Sequence, residues 1–318
     1  MRISAAAPFS PDRYRALHEG SGFLLRGDRG RIALRGSDRK TYLQGLLSND
    51  ILALEPGKSC YATLLTAQGR MISDMRVFDL GDLLLMDLER PVVQQVTEHL
   101  DRFIITEDVT VEDVTSTWAQ IGLYGPESRV VLKQLTTSGL VPLFVLPSRD
   151  LGIEGFDLIV PDDDVSGWVE ALEGAGSARV DHATVEVTRI EAGIPRFLVD
   201  MDATTIPLEA GIEDRAISMT KGCYVGQEVI VRVLHRGGGR VAKKLVSLTS
   251  DGNVQRDDRI FAADREVGRI TSAVDSPRYG QRLALGYVPR VTGTQLMVKT
   301  SGGWVRVALR DHRDLRVL

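Results

Sequence analysis

Lys221, Gly222 and Cys223 open the string KGCYVGQE, which runs to Glu228, and that combination suits thiol chemistry. A lysine two residues before a cysteine can stabilise the thiolate by its charge, and the glycine between them opens the backbone around it. Gly226 lets the chain turn tightly after Cys223 and Tyr224, while Gln227 and Glu228 can start a helix or hold the loop by hydrogen bonds. Residue type alone leaves a second reading open, in which Cys223 is a small buried hydrophobe and Tyr224 a core anchor. The other cysteine, Cys60, precedes Tyr61 at a strand start and reads as core. Two cysteines without CxxC, Cys/His zinc spacing or HExxH exclude a self-contained structural zinc or four-thiolate cluster site. At most, Cys223 supplies a transient iron-sulfur ligand in a cluster shared with a partner, and no resident metal is expected.

The elements that would position these residues change character along the chain. RIALR, Arg31 to Arg35, reads as a strand, and Ser37 is a plausible N-cap for a helix with Tyr42, Leu43, Leu46 and Leu47 on one face. From Tyr61 the runs YATLLT, ISDMRVFDL and LLLMDL, split by turns at Gln68-Gly69 and Gly81-Asp82, read as a β-meander. Helices are expected from Pro91 to about Phe103, from Glu127 to about Thr137 and near Asp164 to Glu173. Strands are expected at Val109–Val114, at Ala119–Tyr124 and in FDLIV. Such mixing predicts an α+β fold. The last eighty or so residues hold six short alternating runs, from VAKKLVSL to GWVRVAL, which read as a small antiparallel barrel or sandwich. Its boundary falls at the hinge-like run Gly237-Gly238-Gly239.

At 318 residues the chain has room for two or three domains. Its 43 acidic and 39 basic residues give a net charge of −4, so the whole-molecule field would repel nucleic acid. No direct nucleic-acid partner is expected. Neither a signal-peptide core nor an apolar run of about 18 residues is visible, which predicts a cytoplasmic protein without a membrane partner. One local exception stands out. Arg232, Arg236, Arg240, Lys243 and Lys244, with His235, fall between Val229 and Ser250 with no acidic residue among them. Such a patch is either a solvated face or a rim for an anion.

KGCYVGQE resembles the signature of the YgfZ family, a folate-binding branch of the aminomethyltransferase fold related to mitochondrial iron-sulfur assembly proteins. RIEAGIP (Arg189–Pro195) and IPLEAG (Ile206–Gly211) look like segments of the glycine-cleavage T-protein. VGRITSAVDSP and ALGYV look like its C-terminal barrel, and LRGSDRKTYLQGLLSNDI and YATLLTAQGRMISDMRVF like its N-terminal half. The cysteine, where T-proteins carry an acidic residue, places the chain on the YgfZ side.

The resemblance implies three modules around a central folate pocket: a bipartite module of residues 1–51 and 151–236, a ferredoxin-like module of 52–150, and a barrel of 237–318. It implies tetrahydrofolate or a derivative as cofactor. Iron-sulfur proteins or assembly factors are the implied partners, and support of iron-sulfur enzymes, indirectly of tRNA modification, the implied function. The alternative is a folate-dependent aminomethyltransferase or demethylase. A pterin edge suits a carboxylate that accepts two hydrogen bonds. The resemblance gives that part to Glu191, with Arg189 orienting it or lining the pocket, Gly193 allowing close approach and Tyr224 nearby. Asp74 corresponds to the acid placed beside the reactive folate nitrogen, where a carboxylate can relay a proton or steady a developing cation. Gly69, Arg70 and Met71 are expected to border the cavity. Arg29 and Val185 stand where some YgfZ proteins have folate-contacting tryptophans.

Overall fold

The computed structural model describes residues 9–236, 238–289 and 295–310. The chain begins with α1 (Pro11–Glu19), started by Pro11 and by the Ser10 side chain accepting from Arg13 N. It continues through β1 (Gly22–Leu25), β2 (Arg29–Arg35), α2 (Arg39–Leu46), β3 (Ser59–Leu65), β4 (Met71–Asp79), β5 (Leu84–Glu89), α3 (Val93–Asp101) and β6 (Thr110–Asp113). Then come β7 (Trp118–Tyr124), α4 (Ser128–Thr137), β8 (Phe144–Ser148), β9 (Gly155–Pro161), α5 (Val165–Gly174), β10 (Ala178–Arg179) and α6 (His182–Glu191). Three short helices follow, α7 (Pro207–Ala210), α8 (Glu213–Ala216) and α9 (Gln227–Val231), ahead of the strands β11 (Lys244–Ser250), β12 (Arg259–Ala262), β13 (Arg265–Ser276), β14 (Gln281–Val288), β15 (Leu296–Thr300) and β16 (Gly303–Leu309). The helix expected to be capped by Ser37 starts later, at Arg39, because the Ser37 hydroxyl bonds Asp108 instead.

Strands β3-β4-β5-β2-β6 form one antiparallel sheet. Its alternation separates two faces. Ile32, Leu34, Ala62, Leu64, Met75, Val77, Met86 and Leu88 pack with Tyr42, Leu43 and Val96 of α2 and α3 in the largest core. The opposite face carries Arg29, Arg31, Tyr61, Asp74, Arg76, Asp87 and Glu89, all at the alternate positions. A charged face on a sheet is ordinarily a solvent face, yet here it is covered.

The cover includes a second five-stranded sheet, ordered β10-β1-β7-β9-β8. The run β7-α4-β8-β9-α5-β10 is a β-α-β-β-α-β unit, with β1 inserted between its first and last strands. The ferredoxin-like order therefore belongs to residues 118–179, not to 52–150 as expected from the sequence. A boundary at 150 would cut the β8–β9 hairpin, and β1 belongs to this sheet because it pairs with β7 and β10.

The six C-terminal strands close into an antiparallel barrel, β11-β14-β13-β12-β15-β16. Gly237 of the expected hinge lies outside the described residues. The barrel is fastened to α6 by buried polar bonds. Arg189 reaches Ser272 at 3.0 Å, Asp200 accepts from Thr271 and Ser272, and Arg310 donates to the Glu191 carbonyl at 2.7 Å.

Candidate functional site

Asp74 sits in β4 opposite Thr63 of β3, and Tyr61, two residues earlier on β3, reaches across to it. The Tyr61 hydroxyl donates to Asp74 Oδ2 at 2.6 Å, while Asp74 Oδ1 is buried with no partner. Burial pushes this carboxyl up to about 6, although Arg29 and the Tyr61 hydroxyl pull it down. A carboxyl tuned near neutrality with one free oxygen is what a proton relay requires.

Asp74 lines a cavity of about 120 Å³ shared with Tyr61, Arg29, Glu89, Glu186 and Arg196. Charged groups around it are held by one another. Arg29 donates to Asp87 and Glu89 at 2.8 and 2.9 Å, and Arg196 lies 3.2 Å from Glu89. Arg76 contacts Asp87, Asp150 and Asp157. Those three aspartates have oxygens within 4.8 Å of one another, but the Arg76 guanidinium already supplies their cation. Burial would raise Glu186, yet Arg189 and Arg196 outweigh it and hold that carboxyl below the usual range.

Two larger cavities adjoin this one. A space of about 520 Å³ shares Ile194, Pro195 and Arg215 with it, and one of about 570 Å³ shares Tyr61, Arg76 and Asp150. Together the Asp74 cavity and the first of these fall in the range of small-molecule sites, about 300–1,000 Å³.

The residues singled out in the sequence are scattered by the fold. Asp74 and Arg189 line the central cavity, and so do Arg29 and Val185. Glu191 does not. It accepts from Tyr14 at 2.7 Å and from Ser276, pinning α1 and the barrel to α6. The physical reason is helical phase: Glu191 lies five residues after Glu186, about 140° round the helix from the cavity face. Gly193 lines the outer cavity and ends α6 at a φ of 69°. Arg189, expected to orient Glu191 or to line the pocket, does the second and grips Glu186 and Asp200 rather than Glu191.

The signature segment also lies away from the Asp74 cavity. The Lys221 ammonium donates to the carbonyls of Gln44, Leu47 and Asn49 at 2.6, 2.5 and 3.1 Å, capping the end of α2. Its three donors are thus occupied by backbone oxygens, and burial lowers it to about 8. Tyr224 is buried in the main core, and Cys223 is exposed. Gly226 has a φ of 83°, and a Cβ there would come within 2.5 Å of the Thr66 carbonyl. Gly69 faces Val229 and Gly226 in the same contact, so the cavity border expected there is instead a backbone joint with KGCYVGQE, while Arg70 reaches the Thr204 carbonyl and Glu209. Met71 is core. Of the basic patch, Lys244 lines the outer cavity, Lys243 lies over Tyr287 on the barrel, and Arg232 pairs with Glu228.

Sequence reasoning missed Arg76, Asp87, Glu89, Glu186, Arg196 and Arg215. A signal existed in DMR (Asp74–Arg76) and DLE (Asp87–Glu89), where charges alternate with apolar residues inside strands that the pattern had already located.

A charged sheet face closed over by a split β-α-β-β-α-β unit, with a six-stranded barrel docked on α6, defines the class of fold. The family profile described as GCVT N-terminal domain matches residues 10–143, and that of the glycine cleavage T-protein C-terminal barrel domain matches 243–312. An aminomethyltransferase of Exiguobacterium sibiricum is 27% identical over 300 residues, spanning 89% of this chain and 82% of the relative. One from Rubrobacter xylanophilus is 26% identical over 306 residues, spanning 90% and 81%. The crystal structure of glycine cleavage system aminomethyltransferase T from Bartonella henselae superposes with a TM-score of 0.83 at 20% identity, covering 94% of this chain and 88% of that one. The chain belongs to the glycine-cleavage T-protein superfamily. Among the described residues no helix is long and apolar enough to cross a membrane.

Proposed function

We propose that this chain binds tetrahydrofolate in the Asp74 cavity and carries out a folate-dependent one-carbon transfer of the aminomethyltransferase kind. The observation that carries this reading is Asp74 itself, a buried carboxyl held near 6 with Oδ1 unpaired in a cavity wall. The names of the relatives support it. The residues present fit the ligand. Glu186 offers a carboxylate for an amine-bearing ring edge, a part the sequence had given to Glu191. Arg29, fixed in plane by Asp87 and Glu89, offers a flat guanidinium wall beside Val185.

Tetrahydrofolate, when bound, supplies the nitrogens that take up the one-carbon unit. Asp74 Oδ1 accepts a proton, and Tyr61 steadies the carboxylate through its hydroxyl. The covered sheet face keeps water from the reacting centre. The test is calorimetric titration of tetrahydrofolate together with an assay for methylene-tetrahydrofolate from aminomethyl and N-methyl donors. Asp74→Asn is expected to bind within about tenfold of wild type and to lose at least about 100-fold in turnover. No binding by wild type, or undiminished turnover in the variant, removes the reading.

A second reading rests on another observation, the exposed thiol of Cys223 away from the central cavity. KGCYVGQE resembles the YgfZ signature, and a surface cysteine free of the cavity suits contact with an iron-sulfur protein or a cluster shared between chains. Here folate binding and the partner surface are separate functions. In cells lacking the native factor, Cys223→Ser is expected to lose support of iron-sulfur enzymes while binding tetrahydrofolate normally; full support by the variant rules this role out.

A further inference from the structure

The barrel carries a surface that neither the Asp74 cavity nor KGCYVGQE uses. Strands β13, β12, β15 and β16 lie side by side, and their alternation sends Ile260, Val298, Val305 and Val307 into the barrel core. The residues between them face outward. Register sets these in two rows across the four strands. One row runs Glu266, Phe261, Met297, Arg306, and the other Arg269, Arg259, Lys299, Trp304. Large apolar side chains and cations therefore share one face, and Glu266 is the acid among them.

Trp304 stays 56% exposed although its ring meets Phe261 edge to face at 5.0 Å, so the indole is held in place and still open to a partner. Lys299 and Arg306 are exposed and have no ion pair among the described residues. A groove of about 270 Å³ adjoins the face, lined by Arg259 and Arg269 together with Lys243 and Tyr287. Lys243 lies over the Tyr287 ring at 4.8 Å. The two arginines are loosely held: Arg259 reaches Glu266 at 3.3 Å between exposed side chains, and Arg269 lies 3.7 and 3.9 Å from Asp202 and Asp257. Exposed pairs of that kind contribute little and yield to a competing anion.

A cationic groove leading onto exposed rings is the arrangement that holds a sugar-phosphate backbone while its bases stack. The net charge of −4 spoke against nucleic acid, yet pairing across strands gathers here a positive field that linear order hides. A duplex would keep its bases from the rings. A flat lipid surface could meet Trp304 but could not enter the groove. We propose that the outer face of β13-β12-β15-β16 binds single-stranded nucleic acid, with bases stacked on Trp304 and Phe261 and phosphates held by Lys299, Arg306 and the cations of the groove.

The test is fluorescence anisotropy of labelled single-stranded RNA and DNA of about 12 nucleotides and mixed sequence. Both are titrated over a range of salt with wild type, Trp304→Ala and the Lys299→Gln/Arg306→Gln double variant. Wild type is expected to bind, more weakly as salt rises, and Trp304→Ala to lose about fivefold or more in affinity. The double variant is expected to flatten the log–log salt slope by about 1.4, at about 0.7 for each phosphate released. A merely structural loss would leave that slope unmoved, and the urea midpoints of both variants are expected to match wild type because these side chains are exposed. No binding of either oligonucleotide by wild type overturns the proposal, and so does binding that both variants leave unchanged. Capture of phosphatidylserine vesicles without oligonucleotide binding overturns it in favour of a lipid surface.

Discussion

Asp74 is destabilised by the same burial that makes it useful. Its carboxyl titrates near 6 in the fold, against an ordinary 3.8, so between those values the folded chain holds a proton that the unfolded chain has lost. Stability contributed by the protonated form is fully present below about 4 and is lost as pH rises through 6. Asparagine imitates the neutral acid and does not titrate. Asp74→Asn is therefore expected to gain stability over wild type as pH rises from 4 to 7, approaching about 3 kcal/mol. Urea unfolding of both proteins at pH 4.5 and pH 7 checks it, and a difference that stays flat across that range contradicts the assigned titration. Catalytic tuning and folding pull against each other at this residue. Its place in the cavity was legible because Asp74 sits in a well-patterned strand. Glu186 was not legible, because RIEAGIP draws attention to the motif's own glutamate, while the carboxylate on the cavity face of α6 stands five residues earlier, about 140° round the helix.

The elements were easier to read than the ways in which they join. Strand alternation located β3, β4 and β5, and all six barrel strands appear where their apolar alternation placed them. What pattern could not supply was pairing between distant segments. Insertion of β1 between β7 and β10 moves the ferredoxin-like unit to residues 118–179, and no local periodicity of GFLL announces that partner. The joint between the β3–β4 turn and KGCYVGQE is equally non-local. Gly226→Ala would place a methyl against the Thr66 carbonyl at a left-handed backbone position. It is expected to destabilise the fold by about 2–4 kcal/mol through strain and collision together. A shift of the urea midpoint measures this, and an unchanged midpoint would show that the turn moves aside freely.

At the scale of the molecule, Glu191 is a fastener between α1, α6 and the barrel. Truncation leaves the Tyr14 and Ser276 hydroxyls without their acceptor. Glu191→Ala is expected to lower stability by about 2–4 kcal/mol, while tetrahydrofolate affinity stays within about threefold of wild type. Unfolding curves and calorimetry on the same variant separate the two effects; a large loss of affinity at unchanged stability would return Glu191 to the ligand. The barrel's docking matters because β11 supplies one wall of the outer cavity. The meeting of Gly69 with Gly226 has a consequence for descent. A string held in place by collision geometry persists for reasons indifferent to any chemistry at Asp74. Two lineages could inherit KGCYVGQE letter for letter, keep the same turn locked beneath it, and diverge freely in what the pocket consumes.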